Sequence, residues 1–203
     1  MKHKMDFRVY KGKEISAVVE DLSELRIHIF KDFPYLYEGN KTFEYKYLNK
    51  YVESDCSFLF TIWDNEKLVG ATTCIALKDE APEVIDPFEM ANIDVNSIIY
   101  FGESILLNNY RNLGYGKLFM QKRVEFAQSF SWCKAVYFCS VERAENHPLK
   151  PKDYKNLHEF WSKQGFNPTE LSTIFEWKDL GEKNETEKKM NFWMKPIQLA
   201  ATL

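Results

Sequence analysis

Residues 100–130 carry the side chains whose types and spacing could do chemistry: YFGESILLNNYRNLGYGKLFMQKRVEFAQSF. Arg111, Gly114 and Gly116 form the pattern R-x-x-G-x-G. Glycines let a backbone approach a ligand, and the first amides of a helix point outward without partners. With the helix dipole, such amides make a site for an anion such as a pyrophosphate. The amides concerned belong to Leu113, Gly114, Tyr115, Gly116 and Lys117, with Asn112 beside them, and Arg111 would add a charge-assisted contact. Neither G-x-G-x-x-G nor G-x-x-x-x-G-K-[ST], the two better-known phosphate turns, is present. The plainer reading is a turn whose glycines serve tight packing. Glu103 is the only carboxylate in the run 98–107. A charge in a buried strand is costly unless it is paired or reaches water. One explanation is that Glu103 pairs with Arg123, the cation inside the apolar arc of the following helix.

These residues need a strand, a turn and a helix to place them. Residues 98–107 are rich in β-branched, aromatic and aliphatic side chains, as suits a strand buried on both faces. From Tyr115 onward, Phe119, Met120, Val124, Phe126, Ala127 and Phe130 fall on one side of a helix. Earlier segments predict a strand at 7–11, helices at 14–33 and 42–53, and strands at 57–63 and 67–77 around a turn at Asp64-Asn65. Residues 79–96 hold six acidic residues, two prolines and no Lys or Arg. They read as a solvated acidic loop, or as a loop steering a cationic acceptor. A second buried strand is expected at 134–141, a short helix at 157–165 ending in glycine, and strands at 173–178 and 190–195.

The stretch E-S-I-L-L-N-N-Y-R-N-L-G-Y-G-K-L resembles the acetyl-CoA signature of the GNAT-type N-acetyltransferases. The stretch H-P-L-x-P-x-D-Y-x-x-L-x-x-F-W-x-x-x-G-F at 147–166 is similar to a subgroup of that family mostly unassigned in substrate. The resemblance implies an α/β fold of mixed type, a central, mostly antiparallel twisted sheet of six to seven strands with about four helices. It implies one such domain over 1–203, with acetyl-CoA as cosubstrate and its pyrophosphate on the 113–117 amides. It places the strand 134–141 beside the first and splaying from it, so that the pantetheine arm enters the gap. It assigns the oxyanion donor to the backbone of Leu106 and Leu107 and the general base to Glu103. The tyrosine that often protonates the leaving thiolate is replaced here by Trp161. Tyr154 and His147 are the substitute candidates; a core phenol and a loop histidine are the plainer readings of them. No covalent intermediate is required, and Cys139 reads as a core thiol.

Composition narrows the remaining classes. The chain has 203 residues, 45% hydrophobic and 28% charged, as in ordinary globular proteins. A net charge of −3 gives no electrostatic reason to expect nucleic acid. No apolar run approaches the roughly 20 residues of a membrane span, and the N-terminus lacks a leader's apolar segment. Cys56, Cys74, Cys133 and Cys139 show no C-x-x-C spacing, and the four histidines show no ligand spacing, so free thiols, a cytoplasmic setting and no metal are expected. The expected activity is acetyl transfer to a primary amine of a small molecule or a protein. The alternative is a coenzyme A-binding module with little or no turnover, acting as a sensor or partner subunit. The sequence allows a homodimer and does not name the acceptor.

Overall fold

The computed structural model describes residues 5–198; residues 1–4, part of the stretch read above for a leader, and 199–203 lie outside them. The strands are β1 (Met5–Tyr10), β2 (Ser57–Asp64), β3 (Lys67–Ala76), β4 (Ile98–Leu106), β5 (Ala135–Val141), β6 (Asn167–Trp177) and β7 (Thr186–Pro196). They form one seven-stranded sheet in the order β1-β2-β3-β4-β5-β7-β6. Only β4 and β5 run parallel; they are joined by a helical crossover, as parallel neighbours must be. The helices are α1 (Val19–Phe30), α2 (Lys41–Glu53), α3 (Pro82–Met90), α4 (Tyr115–Gln128) and α5 (His158–Lys163). Among the described residues, no helix is long and apolar enough to cross a membrane.

Helices cover the sheet on both faces, which explains why all eight residues of β2 are buried. On one face Leu59, Ala71, Ile75 and Tyr100 pack with Leu22, Leu48, Val84 and Phe88 from α1, α2 and α3. On the other, Phe58, Phe60, Val69 and Phe101 pack with Phe119 and Phe126 of α4. Alternate strand residues therefore feed two separate apolar layers.

Three expectations change. The helix predicted over 14–33 is a 3-10 segment, Gly12–Val18, followed by α1, which ends at Phe30. The last two strands are longer than the periodicity suggested. The acidic stretch 79–96 is not a loop: it contains α3, whose Val84 and Phe88 sit one turn apart and are both buried. Phe88 meets Tyr137 and Phe192 edge-on at 4.9 and 5.0 Å. Its two prolines obscure this helix. Pro82 stands in the first turn, where no intrahelical N–H is needed. Pro87 stands inside and cannot donate to the carbonyl of Glu83. The Thr173 hydroxyl on β6 supplies the missing donor, 2.5 Å from that oxygen.

A side chain thus completes a backbone ladder across two elements. Thr173→Val should cost about 1 kcal/mol, the usual net contribution of one hydrogen bond, because the Glu83 carbonyl is only partly buried. In a Pro87→Ala background the new backbone N–H takes over, and the same substitution should cost close to nothing. Urea unfolding of the four proteins in this cycle checks it; equal costs in both backgrounds would refute the assignment.

Candidate active site

β4 and β5 pair only at Ile98–Ala135, Ile99–Val136 and Tyr100–Tyr137. Beyond Tyr100 they part, while β5 continues to pair with β7 as far as Val141–Met190. A wedge opens in the middle of the sheet, and Ser104 is exposed although it lies in a central strand. Antiparallel ladders alternate bonded and non-bonded pairs. The Leu107 N–H donates to the Val69 carbonyl at 2.9 Å, so Leu107 faces β3. Leu106, opposite Gly70, is the non-bonded neighbour, and its N–H and C=O turn toward the wedge. Of the two residues considered as oxyanion donors, only Leu106 presents its amide there.

The turn after β4 meets the mouth of this wedge. Asn112 and Gly114 adopt positive φ, 62° and 90°, and Gly114 caps α4. The first amide to bond back into the helix is that of Leu118, to the Gly114 carbonyl at 3.2 Å. The amides of Tyr115, Gly116 and Lys117 precede it and point outward. A Cβ added at Gly114 would meet nothing within 4 Å, and one at Gly116 would come no closer than 3.6 Å, to Phe160 Cζ. Tight packing therefore does not account for these glycines. Gly114 is required by its left-handed backbone, and Gly116 leaves the helix start open. Arg111 is exposed and its Nε donates to the Leu106 carbonyl at 3.2 Å, which sets its guanidinium across the mouth.

Glu103 sits on a β-bulge. Thr72 opposes Ser104 and Cys74 opposes Phe101, so Gly102 and Glu103 together face Thr73. The Thr73 hydroxyl accepts from the Glu103 N–H at 3.1 Å, and the Thr72 hydroxyl donates to its carbonyl at 2.9 Å. The side chain is buried and its Oε2 lies 2.6 Å from Arg26 Nη1 and 3.2 Å from the Tyr47 hydroxyl. Arg26 Nε lies 2.5 Å from Oε2 of Glu44, which is fully buried on α2. Burial works against the Arg26 guanidinium, yet Glu103, Tyr47 and Glu44 hold it well above its ordinary value. Oε1 of Glu103 and Oε1 of Glu44 are buried without a hydrogen-bond partner. The partner of Glu103 is thus Arg26, not Arg123. Arg123 is buried on α4, lies 4.5 Å over the Phe101 ring, and contacts Met120 Sδ at 3.4 Å. Burial lowers its guanidinium to about 10.

The other candidates lie on the α1–α2 side. Tyr154 meets Phe33 edge-on at 4.7 Å, and burial raises its phenol. His147 lies 5.6 Å from the same ring, and its Nδ1 accepts from the Leu149 N–H at 3.2 Å. Tyr35 lies within electrostatic reach of both Tyr154 and Glu103. Burial raises its phenol, Cys139 adds to that, Arg26 opposes it, and Glu103 and Tyr154 add further. Arg143 fixes the loop by donating to the Pro34 and Tyr35 carbonyls at 2.7 Å each and by pairing with Asp179 at 2.6 Å. Trp161 packs on Phe138 and Trp193 at 4.9 and 5.1 Å. Among the described residues, no group of three potential ligands could hold a metal ion. Sequence reasoning missed Arg26, Glu44, Tyr47 and Tyr35. For Arg26 and Glu44 the signal existed: each is a charge on an otherwise apolar helix face, beside Leu22 and Leu25 and beside Leu48 and Tyr51 respectively.

Cys139 bears on the reaction type. Its Sγ lies 3.0 Å from the Tyr100 hydroxyl, and burial pushes the thiol up to about 12. A thiol so held is a poor nucleophile at neutral pH. Cys56 is pushed up by burial to about 11. Both folded values exceed the ordinary 9.0, so above that pH the folded chain holds protons that the unfolded chain has lost. This contribution to stability is complete below about pH 9 and should fall as pH rises through about 11 and 12. Urea midpoints between pH 8 and 11 should show that decline, and Cys139→Ala should make it shallower. A midpoint independent of pH over this window would contradict the burial argument.

The family model for the Acetyltransferase (GNAT) family matches residues 22–166. No curated protein gives a sequence match. Among solved structures, NAA60 of Arabidopsis thaliana in complex with acetyl-CoA is similar at TM-score 0.60 and 16% identity, over 96% of this chain and 99% of that one. The loading GNATL domain of CurA from Lyngbya majuscula gives 0.61 and 14%, over 96% and 98%. The ribosomal-protein-S18-alanine N-acetyltransferase of Escherichia coli gives 0.56 and 9%, over 98% and 97%. At these identities the structural likeness speaks for the fold.

Proposed function

Because the chain belongs to the GNAT acetyltransferase family, we propose that it transfers an acetyl group from acetyl-CoA to a primary amine by direct attack on the thioester. The observation that carries this reading is the buried, unpartnered Oε1 of Glu103, on a bulge beside an open wedge. A buried carboxylate oxygen without a donor is costly, and an ammonium or its bridging water would satisfy it.

The residues fit acetyl-CoA. The outward amides of Tyr115, Gly116 and Lys117, with those of Leu113 and Gly114, are suited to a pyrophosphate, and neither glycine is demanded by packing. Arg111 and Asn112 flank them. The wedge between β4 and β5 suits a slender arm, with half-buried Leu106, Phe160 and Trp161 as apolar wall. When bound, the cosubstrate supplies an activated acetyl thioester. Glu103 takes a proton from the acceptor ammonium, directly or through water, since only the neutral amine attacks. The Leu106 amide donates to the carbonyl oxygen as charge develops on it. Tyr154 is the proposed donor to the departing thiolate, with His147 second because one of its nitrogens is already engaged. The raised Cys139 thiol supports direct transfer over an acetyl-enzyme. The acceptor is a small-molecule or protein amine. The name of the E. coli relative, an alanine N-acetyltransferase of a ribosomal protein, favours keeping the protein class in view.

Trp161 favours a second reading, a coenzyme A-binding module with little turnover, because an indole packed against Trp193 gives no proton to a leaving thiolate. Thiol release from acetyl-CoA with a panel of amines separates the two.

Two variants test the assignments. Gly116→Val should abolish acetyl-CoA binding by calorimetry and leave the melting temperature within a few degrees; undiminished affinity would remove the turn from the cofactor site. Glu103→Gln should fold, bind acetyl-CoA, lose the acid limb of its rate–pH profile, and lose about 10²–10⁴-fold in turnover. Wild-type turnover with a lowered melting temperature would make Glu103 a structural partner of Arg26.

A further inference from the structure

Arg26 is shared. Its Nε goes to Glu44 and its Nη1 to Glu103, at 2.5 and 2.6 Å, so one buried cation faces two buried carboxylates. Lys50 does not redress the balance, because it pairs with Glu80 at 2.5 Å. Tyr47 lies at the centre: its ring sits between Arg26 and Lys50 at 4.0 and 3.9 Å, and its hydroxyl donates to Glu103. Burial, and then the nearby Glu44 carboxylate, raise the Tyr37 phenol.

Resting on the reading of Glu103 as base, we propose that Glu44 and Tyr47 are positioning residues that set its proton affinity in opposite senses. Glu44 draws on the charge of Arg26, so that Arg26 does not fully neutralise Glu103, and an excess negative charge remains beside the free Oε1. Tyr47 bonds the charged form of Glu103 and favours ionisation. An ion pair with Arg26 alone would weaken Glu103 as a base.

The other groups around Glu103 do not replace these two. Tyr51 of α2, Cys74 of β3 and Tyr35 of the following loop are raised by burial and stay neutral near pH 7. Arg123 acts on Glu103 only from α4, across the sheet, where its guanidinium bonds to Met120 Sδ. Tyr100 is raised by burial and bonded to Cys139.

The test reads Glu103 directly and needs no acceptor. The chain is labelled with carbon-13 glutamate, and the Glu103 carboxyl signal is assigned by its loss in Glu103→Gln. In Glu44→Gln the pH midpoint of this signal should fall by about one unit, a tenfold loss of proton affinity. In Tyr47→Phe it should rise by a similar amount. A purely structural role would move melting temperatures without moving the two midpoints in opposite directions. Midpoints unmoved in both variants, or moved the same way, overturn the proposal. If Glu44→Gln does not fold, Tyr47→Phe decides alone, and an unmoved midpoint there overturns it. Failure of the base itself is separate: it is a Glu103→Gln enzyme that keeps the acid limb of turnover.

Discussion

Opposite Thr73, β4 carries two residues where its partner strand carries one, and the placement of the site follows from that single insertion. Side chains alternate along a strand, so without the bulge Glu103 would share the face of Phe101 and enter the apolar layer under α4. With it, Glu103 turns to the α1–α2 side, where Arg26 waits. The bulge is locked by two hydroxyls, Thr73 on the Glu103 amide and Thr72 on its carbonyl. Gly102 completes the lock: a Cβ there would come 2.1 Å from the Tyr51 hydroxyl and 2.4 Å from Thr73 Oγ1. Two threonines, one glycine and one tyrosine are therefore explained by one backbone irregularity.

Arg26 then ties α1, α2 and β4 through two carboxylates. Buried ion pairs add little net stability, because desolvation offsets attraction, but losing one partner of such a pair costs about 3–5 kcal/mol. The arrangement thus fixes geometry more than it stabilises. It holds the helices at a set distance from the wedge, with Tyr47 stacked between Arg26 and Lys50. Arg143 does the same for the loop after α1.

The parts of this design legible in the sequence were the local ones. R-x-x-G-x-G, the apolar run before it and the periodicity after it each depend on neighbours within a few residues, and the structure places all three as strand, turn and helix. The splay of β5 also matched what the resemblance implied. The partner of Glu103 was a different kind of question. Arg123 and Arg26 both stand on apolar helix faces, and periodicity alone does not say which face meets which side of the sheet. A one-residue bulge decides that, and a bulge leaves no signal in hydrophobic alternation when both faces of the strand are buried. The third helix was hidden for another reason: Pro87 reads as a breaker until a hydroxyl 86 positions later is known to serve the carbonyl it leaves open.

The wedge between β4 and β5 has a consequence for how the protein behaves in a crowd. Unpaired strand edges recruit foreign strands and so drive aggregation, which is why proteins usually shield their outermost ones. Here an unpaired edge lies inside the sheet, closed at one end by the Tyr100–Tyr137 pair and walled by helices on both sides. A foreign β-strand, with side chains projecting on two faces, does not fit such a slot. The sheet can stay incomplete at this point without offering a template for misassembly.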